Sequence, residues 1–361
     1  MAMPRTLGAF GPAGHWVGAG LLLLLVAHPP CAGAQEPESV DLPLVDWIES
    51  QDRARPDTLN SFPLDAARRE AFRQMIDGIV SLDWKSVLTQ ANLLRYRVVT
   101  IRHGETRFHA AADASGSGRD PIVIINPDAE TDLIASAPHA PNETGTAQQA
   151  ALLVSERGAR AAIIAGAHRC AARNYVACDG RTAVCGKSER YRTSDVAHNP
   201  DSLFHIAHVL LTAAWPKAVV LSLHGMKTDR EGVRTAAILS SGIRRPDPAR
   251  SMPATKLRVA IAALKLAALR GPGAVVSCEL PEDAGFGFRK LCGYTNIQGR
   301  LVNGSANVCT KGATSGTGRF IHLEQDADLL RPFSRKWKSA DQDPFISGFL
   351  DAVVSVAPTA N

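Results

Sequence analysis

Asp132-Leu-Ile-Ala-Ser-Ala-Pro-His-Ala-Pro-Asn-Glu-Thr-Gly-Thr146 joins an apolar run, a proline and two potential metal ligands. The run reads as a buried strand that Pro138 stops, because proline has no N–H to give to a ladder. A tight loop then delivers His139 and Glu143, and Pro141 between them argues against a helical pair. A helix follows, with Thr146 as its cap, Gln149 at the capping-box position and Gly158 as its end. Ligands at the carboxyl end of a strand stand where open α/β sheets bind theirs. The arrangement recurs twice. Ala218-Val-Val-Leu-Ser-Leu-His224-Gly225 is an apolar strand ending in histidine, and Arg319-Phe-Ile-His-Leu-Glu324 is a strand ending in a carboxylate.

Outward from these strands the chain alternates. The pattern predicts a helix over 147–157, a strand over 161–165, a helix over 201–214 and a strand over 218–223. A further helix, 254–269, leads to a strand at 274–278. Such units call for a mixed, mostly parallel sheet with helices on both faces, a three-layer αβα architecture. Upstream, apolar spacing from Leu64 to Val80 is helical, and a second helix is expected at 84–94. Strand-like stretches follow at 96–101, 107–111 and 121–126. Residues 35–130 therefore read as a helical and β segment packed on a core formed by 131–361.

The first 34 residues read as a signal peptide. Arg5 precedes an apolar stretch from Val17 to Ala27 that is too short to span a bilayer, and Ala32-Gly-Ala34 is a cleavage signature. The mature chain is expected to be secreted or periplasmic, with no membrane anchor after cleavage. A net charge of +5 over 361 residues, with basic residues scattered, gives no footing for nucleic acid. Past the leader stand Cys170, Cys178, Cys185, Cys278, Cys292 and Cys309. An even count in an exported chain predicts disulfides, with connectivity left open. Seven and six intervening residues in the first trio fit no common zinc-ribbon spacing.

His139, Glu143 and His224 form a three-ligand set with a fourth position open to water. Along a strand, His322 and Glu324 share a face opposite Ile321 and Leu323, so Glu324 is the candidate general base for that water. Arg169 and Arg300 are candidates for a substrate carboxylate or an oxyanion, and Asn174 and Asn303 lie near them in sequence. Asp195, His198 and His208 are candidates for groups that orient the ligands from behind.

Two resemblances follow from these residues. Arg102-His103-Gly104-Glu105 resembles the opening signature of the histidine phosphatases, with Leu223-His224-Gly225 as the later strand-borne partner. That reading leaves His139, Glu143 and Glu324 without a role. Pro138-His139, Glu143, Leu223-His224 and Leu323-Glu324 resemble the zinc carboxypeptidase-like hydrolases. The amidohydrolase branches containing N-formylglutamate amidohydrolase and poly-gamma-glutamate hydrolase are the nearest in pattern, although the family spaces its first two ligands one residue closer. The second resemblance covers about residues 130–330. It implies one zinc ion per chain and hydrolysis of an amide linked to an acidic or C-terminal amino acid, in small peptides or acyl-amino acids. An exported binding protein without catalysis, or a metal-storage module, would share the ligand set but not the turnover.

Overall fold

The chain was described from a computed structural model covering residues 36–60, 65–227, 235–244, 253–264, 274–286, 291–334 and 342–360. The signal-peptide reading of residues 1–34 lies outside the described residues. The chain enters through β1 (Glu38–Asp41) and α1 (Leu44–Glu49), then a helical pair, α2 (Ala66–Ser81) and α3 (Trp84–Leu94). Each of that pair starts on an aspartate. Asp65 accepts from the Arg68 N–H at 2.6 Å and Asp83 from the Ser86 N–H at 3.1 Å, satisfying donors that a helix start leaves without partners.

Strands β2 (Tyr96–His103), β3 (Thr106–Asp113) and β4 (Ile122–Ile125) follow as an antiparallel run. Gly104 turns the first hairpin at φ +60°, a sign that two-residue hairpin loops require. The repeating units then appear: β5 (Thr131–Ala137), α4 (Thr146–Arg157), β6 (Ala159–Ile164), α5 (Leu203–Ala214) and β7 (Val219–Gly225). After these come β8 (Thr235–Ser240), α6 (Pro253–Ala263), β9 (Ala274–Ser277), α7 (Ile297–Val302), β10 (Phe320–Gln325), α8 (Ala327–Ser334) and α9 (Pro344–Val354). Of the helix expected over 254–269, residues 265–269 lie outside the described residues.

Among the described residues ten strands join one mixed sheet in the order β1-β2-β3-β4-β6-β5-β7-β10-β8-β9. Residues 36–130 thus supply four strands of the same sheet that carries the rest. The central strands β6, β5, β7 and β10 run parallel, so their carboxyl ends lie along one edge. Strand residues alternate between two apolar clusters. Leu133, Ala135, Leu221 and Leu323 pack with α1, α4, α6, α8 and α9, while Ile134, Val220 and Phe320 pack with α2, α3 and α5. The sheet is flanked by helices. Among the described residues, no helix is long and apolar enough to cross a membrane.

Topology singles out one crevice. From β5 the chain passes through α4 to β6 on one side, and α5 then carries it back to β7 on the other side of β5. The two connecting helices contribute to opposite clusters. The connections that leave β5 and β6 therefore turn toward opposite faces of the sheet, and open sheets bind their ligands at the carboxyl ends where this happens.

The expected capping box does not form. Gly145 occupies the cap position of α4 in a left-handed conformation, φ +103°. The Thr146 hydroxyl instead donates back to the Glu143 carbonyl at 2.8 Å. Gln149 is turned inward, and its amide pairs reciprocally with the buried Gln325 amide at 2.8 Å in both directions. Gly158 does end the helix, at φ +60°.

The six cysteines pair as Cys170–Cys185, Cys178–Cys309 and Cys278–Cys292. Cys178–Cys309 fastens the irregular segment after β6 to the one before β10, across 131 residues of sequence. Replacing both cysteines by alanine is expected to cost about 2–5 kcal/mol. A lower urea midpoint checks this, and an unchanged midpoint refutes it.

His208, on α5, is fully buried beside Phe204, with Nε2 2.9 Å from the Ser136 hydroxyl and Nδ1 without a partner. Burial, with His205 nearby, lowers its pKa to about 3, and burial lowers His205 to about 4. Both are neutral in the fold and protonate near pH 6.5 when unfolded. Their contribution is therefore complete above pH 6.5 and is lost as pH falls toward those folded values, at up to about 1.4 kcal/mol per unit for each. His208→Gln should flatten the fall of Tm between pH 6.5 and 4. An equally steep fall in the variant would refute the assignment.

Candidate metal centre

Pro138 ends β5, and the next residues form one helical turn rather than an open loop. The His139 carbonyl accepts from the N–H groups of Asn142 at 2.7 Å and Glu143 at 2.9 Å. Pro141 does not prevent this, because it sits in the first turn, where its missing N–H has no acceptor to lose. The helical pair that Pro141 argues against in the sequence therefore forms. His139 and Glu143 are an i, i+4 pair on one face, with Nδ1 3.0 Å from Oε1.

The second histidine comes from β7. Position parity along β7 and β10 puts Val220, Ser222 and His224 on one face, together with Phe320, His322 and Glu324. That face is apolar where it packs on helices and becomes polar toward the carboxyl ends. His224 Nδ1 lies 3.3 Å from Glu143 Oε2, and its Nε2 lies 3.0 Å from the Ser222 hydroxyl. Gly225 lets Glu143 come this close. Its N–H donates to Oε2 at 3.0 Å, and a Cβ there would stand 3.2 Å from the Glu143 Cβ.

Both Nδ1 atoms therefore face the two oxygens of one carboxylate. Ligand atoms about 2.0–2.2 Å from a tetrahedral ion lie roughly 3.3–3.6 Å apart, close to the 3.0 and 3.3 Å observed. All three residues are buried. The donor set, two imidazoles and a carboxylate, fits a divalent metal ion.

His139 Nε2 is engaged from behind by Asp195 Oδ1 at 2.9 Å. The same oxygen meets His198 Nδ1 at 3.0 Å, while Oδ2 accepts from Arg169 Nη2 at 2.6 Å and Nε at 3.0 Å. Asp195 thereby fixes the His139 ring so that Nδ1 faces Glu143, as outer carboxylates do for metal-ligating histidines. His139, Asp195 and His198 form a second group of ligand type. Arg169 forks onto Asp195 Oδ2 at 3.0 and 2.6 Å but stands 3.8 Å from Glu143 Oε1, which leaves the Glu143 group the less compensated place for a cation.

An ionised Glu143 and a neutral His224 suit ligation, whereas His139 is held protonated and must give up a proton to an arriving ion. Burial pushes Glu143 up, but the His139 and His224 rings outweigh it and hold the carboxyl far below its usual range. Burial and Arg169 press His139 down, yet Glu143 and Asp195 prevail and raise it to about 9. Burial, then His322, lowers His224 to about 4, so this ring is neutral and ready to ligate at neutral pH. Burial raises Asp195, but Arg169, His198 and His139 bring it well below its ordinary value.

No family model, curated protein or solved structure matches this chain.

Glu324 stands beside the cluster. It is the direct neighbour of His224 across the parallel β7–β10 pair, and its Oε1 lies 3.2 Å from His322 Nε2. The His322 ring in turn lies 4.4 Å from the His224 ring. Arg169 carries its guanidinium to the same place, with Nη1 3.8 Å from Glu143 Oε1.

Four of the sequence candidates are placed elsewhere. Arg300 is buried, and its guanidinium is spent on Asp179 at 2.7 and 3.0 Å and on the carbonyls of Tyr294, Val308 and Cys309. It clamps the disulfide-linked segments through Nε, Nη1 and one Nη2 hydrogen. Asn303 donates to the Ser241 carbonyl at 2.8 Å and accepts from the Thr317 N–H at 3.1 Å, a loop-tying role. Asn174 accepts from the Thr193 hydroxyl at 2.6 Å on an exposed turn. His208 touches Ser136 rather than a ligand. His103 sits exposed at the β2–β3 hairpin, with four strands between β2 and β7. The structure does not bring it to His224.

Sequence reasoning missed the support of His198. Its ring stacks on Tyr191 at 3.4 Å and 8°, and its Nε2 lies 3.2 Å from the Thr295 hydroxyl. Tyr191 and Thr295 lie in irregular segments without periodicity, and no motif marks them.

Proposed function

We propose that this chain is an exported zinc-dependent hydrolase of amide bonds, with a three-layer αβα fold of carboxypeptidase type. The observation that carries the reading is the facing of two histidine Nδ1 atoms onto one carboxylate at a topological switch point, with a second carboxylate on the adjoining strand. His139, Glu143 and His224 would hold the ion. Zinc bound there would supply Lewis-acid polarisation of the amide carbonyl and acidify the attacking water. Asp195 keeps His139 in the tautomer whose Nδ1 is free for the ion.

Glu324 takes the proton of the attacking water and returns it to the leaving amine, so the amide gives a carboxylate and a free amine. His322 orients the Glu324 carboxylate from its other side. Arg169 Nη1 is not used on Asp195; it lies 3.4 Å from His139 Nδ1 and 3.8 Å from Glu143 Oε1, and with the ion on those ligands it would face developing oxyanion charge.

The test is metal analysis of the purified protein together with hydrolysis of a panel of acyl-amino acids and short peptides. About one zinc per chain is expected, with turnover abolished by a chelator and restored by zinc. A metal-free protein that hydrolyses these amides, or a zinc protein inert to all of them, sinks the reading.

A further inference from the structure

The candidate centre is assembled from two halves. His224, His322 and Glu324 stand on β7 and β10, whereas His139 follows β5, and Asp195 and His198 lie between β6 and α5. One short segment, residues 292–297, touches both. Gly293 lies against the His322 ring, where a Cβ would stand 2.7 Å from Cγ and 2.8 Å from Nδ1. Its φ of +65° requires a glycine independently of that contact. Two residues on, the Thr295 hydroxyl stands 3.2 Å from His198 Nε2 and 3.2 Å from the Tyr191 hydroxyl. The Ile297 N–H then donates to the carbonyl of Ala197, the neighbour of His198, at 3.0 Å.

The segment is fastened where it begins. Cys292 is buried and bonded to Cys278, whose N–H donates to the Leu239 carbonyl on β8 at 2.9 Å. Strand β8 pairs with β10, with Leu239 opposite Leu323 and Ser240 opposite His322. The disulfide therefore ties Gly293 to the strands that carry His322. Midway, the buried Arg300 donates from Nε to the Tyr294 carbonyl at 3.0 Å.

The polarity of the Thr295 contact follows from Asp195. An ionised carboxylate only accepts, so His139 Nε2 and His198 Nδ1 both donate to Oδ1. Burial holds His198 below its ordinary pKa, so the ring carries that one proton and Nε2 accepts. Thr295 then donates to Nε2 and accepts from Tyr191, whose ring is stacked on His198 at 3.4 Å. Each bond sets the direction of the next, and the chain ends on His139 with Nδ1 turned to Glu143.

We propose that residues 292–297 are a latch that positions the metal ligands. Gly293 sets His322, Thr295 sets His198, and the Cys278–Cys292 disulfide holds the two contacts in register. The inference rests on His139, Glu143 and His224 being a zinc centre, and it is tested by zinc affinity rather than by turnover. Affinity is measured by competition with a chromophoric chelator. Removing the disulfide in Cys278→Ala/Cys292→Ala should lower it at least about tenfold, the range found for outer partners of metal ligands. Thr295→Val keeps the shape without the hydroxyl and should lose about three- to tenfold, whereas Thr295→Ser should stay within about twofold of the parent. Asp65→Ala, which uncaps α2 and so lowers stability outside this segment, should also stay within about twofold. Parent-like affinity in Thr295→Val overturns the proposal, as does an equal loss in Thr295→Ser or in Asp65→Ala. Should the cysteine variant not fold, the two threonine variants decide alone. A parent that binds no zinc overturns the metal-centre reading itself and this proposal with it.

Discussion

Glu324→Gln should leave zinc content and thermal stability unchanged while amide turnover falls on the order of 10²- to 10⁴-fold. Glutamine keeps the volume and can still bond to His322, which now lies 3.2 Å from the carboxylate. It cannot accept the proton of the attacking water. The change therefore removes one chemical act and leaves the packing in place. His139→Ala and His224→Ala should behave differently. Each reduces three ligands to two, so the metal itself should be lost, and activity with it. Metal content and turnover measured side by side in the three variants decide the matter. Normal hydrolysis by Glu324→Gln, or a full complement of zinc in His139→Ala, would show that the strand-end site is misassigned.

How much of this was legible depended on periodicity. The strands ending in His139, His224 and Glu324 could be read because apolar runs are long-range signals and a polar residue at their end stands out. The parity of His322 and Glu324 against Ile321 and Leu323 was equally plain, and it agrees with the fold, where Ile321 and Leu323 join one apolar cluster and Phe320 the other. Local rules failed where tertiary contacts outbid them. Gln149 has the right offset for a capping box, but a buried amide partner on β10 satisfies it more completely than a helix end would. Pro141 looked like a breaker, yet one turn of helix has no bond for it to break. Arg300 illustrates a third limit. An arginine in a polar loop reads as a ligand-binding group until the fold brings Asp179, 121 residues away in sequence, against it. No spacing within the sequence announces that pair. Export and cysteine count pointed to disulfides, while the partner of Cys178 could be known only from the fold.

Asp195→Ala should be the most damaging single change to the fold near the site, costing about 3–5 kcal/mol. The carboxylate is buried and serves three groups at once: Arg169 on Oδ2, and His139 and His198 on Oδ1. Its removal strands the Arg169 guanidinium, which is 9 % exposed, without its main counter-charge. It also frees the His139 ring to turn, so zinc affinity should fall by about 10- to 100-fold. These two consequences have different causes and can be separated. In the double variant Asp195→Ala/Arg169→Leu no buried charge is left unpaired, so much of the lost stability should return. Zinc affinity should not return, since nothing holds His139 Nε2. Urea melts and zinc titrations on the single and double variants provide the comparison. If stability fails to recover, Arg169 is not the group that Asp195 neutralises. If zinc affinity recovers along with stability, Asp195 acts only through folding, and its place behind the metal ligand is incidental.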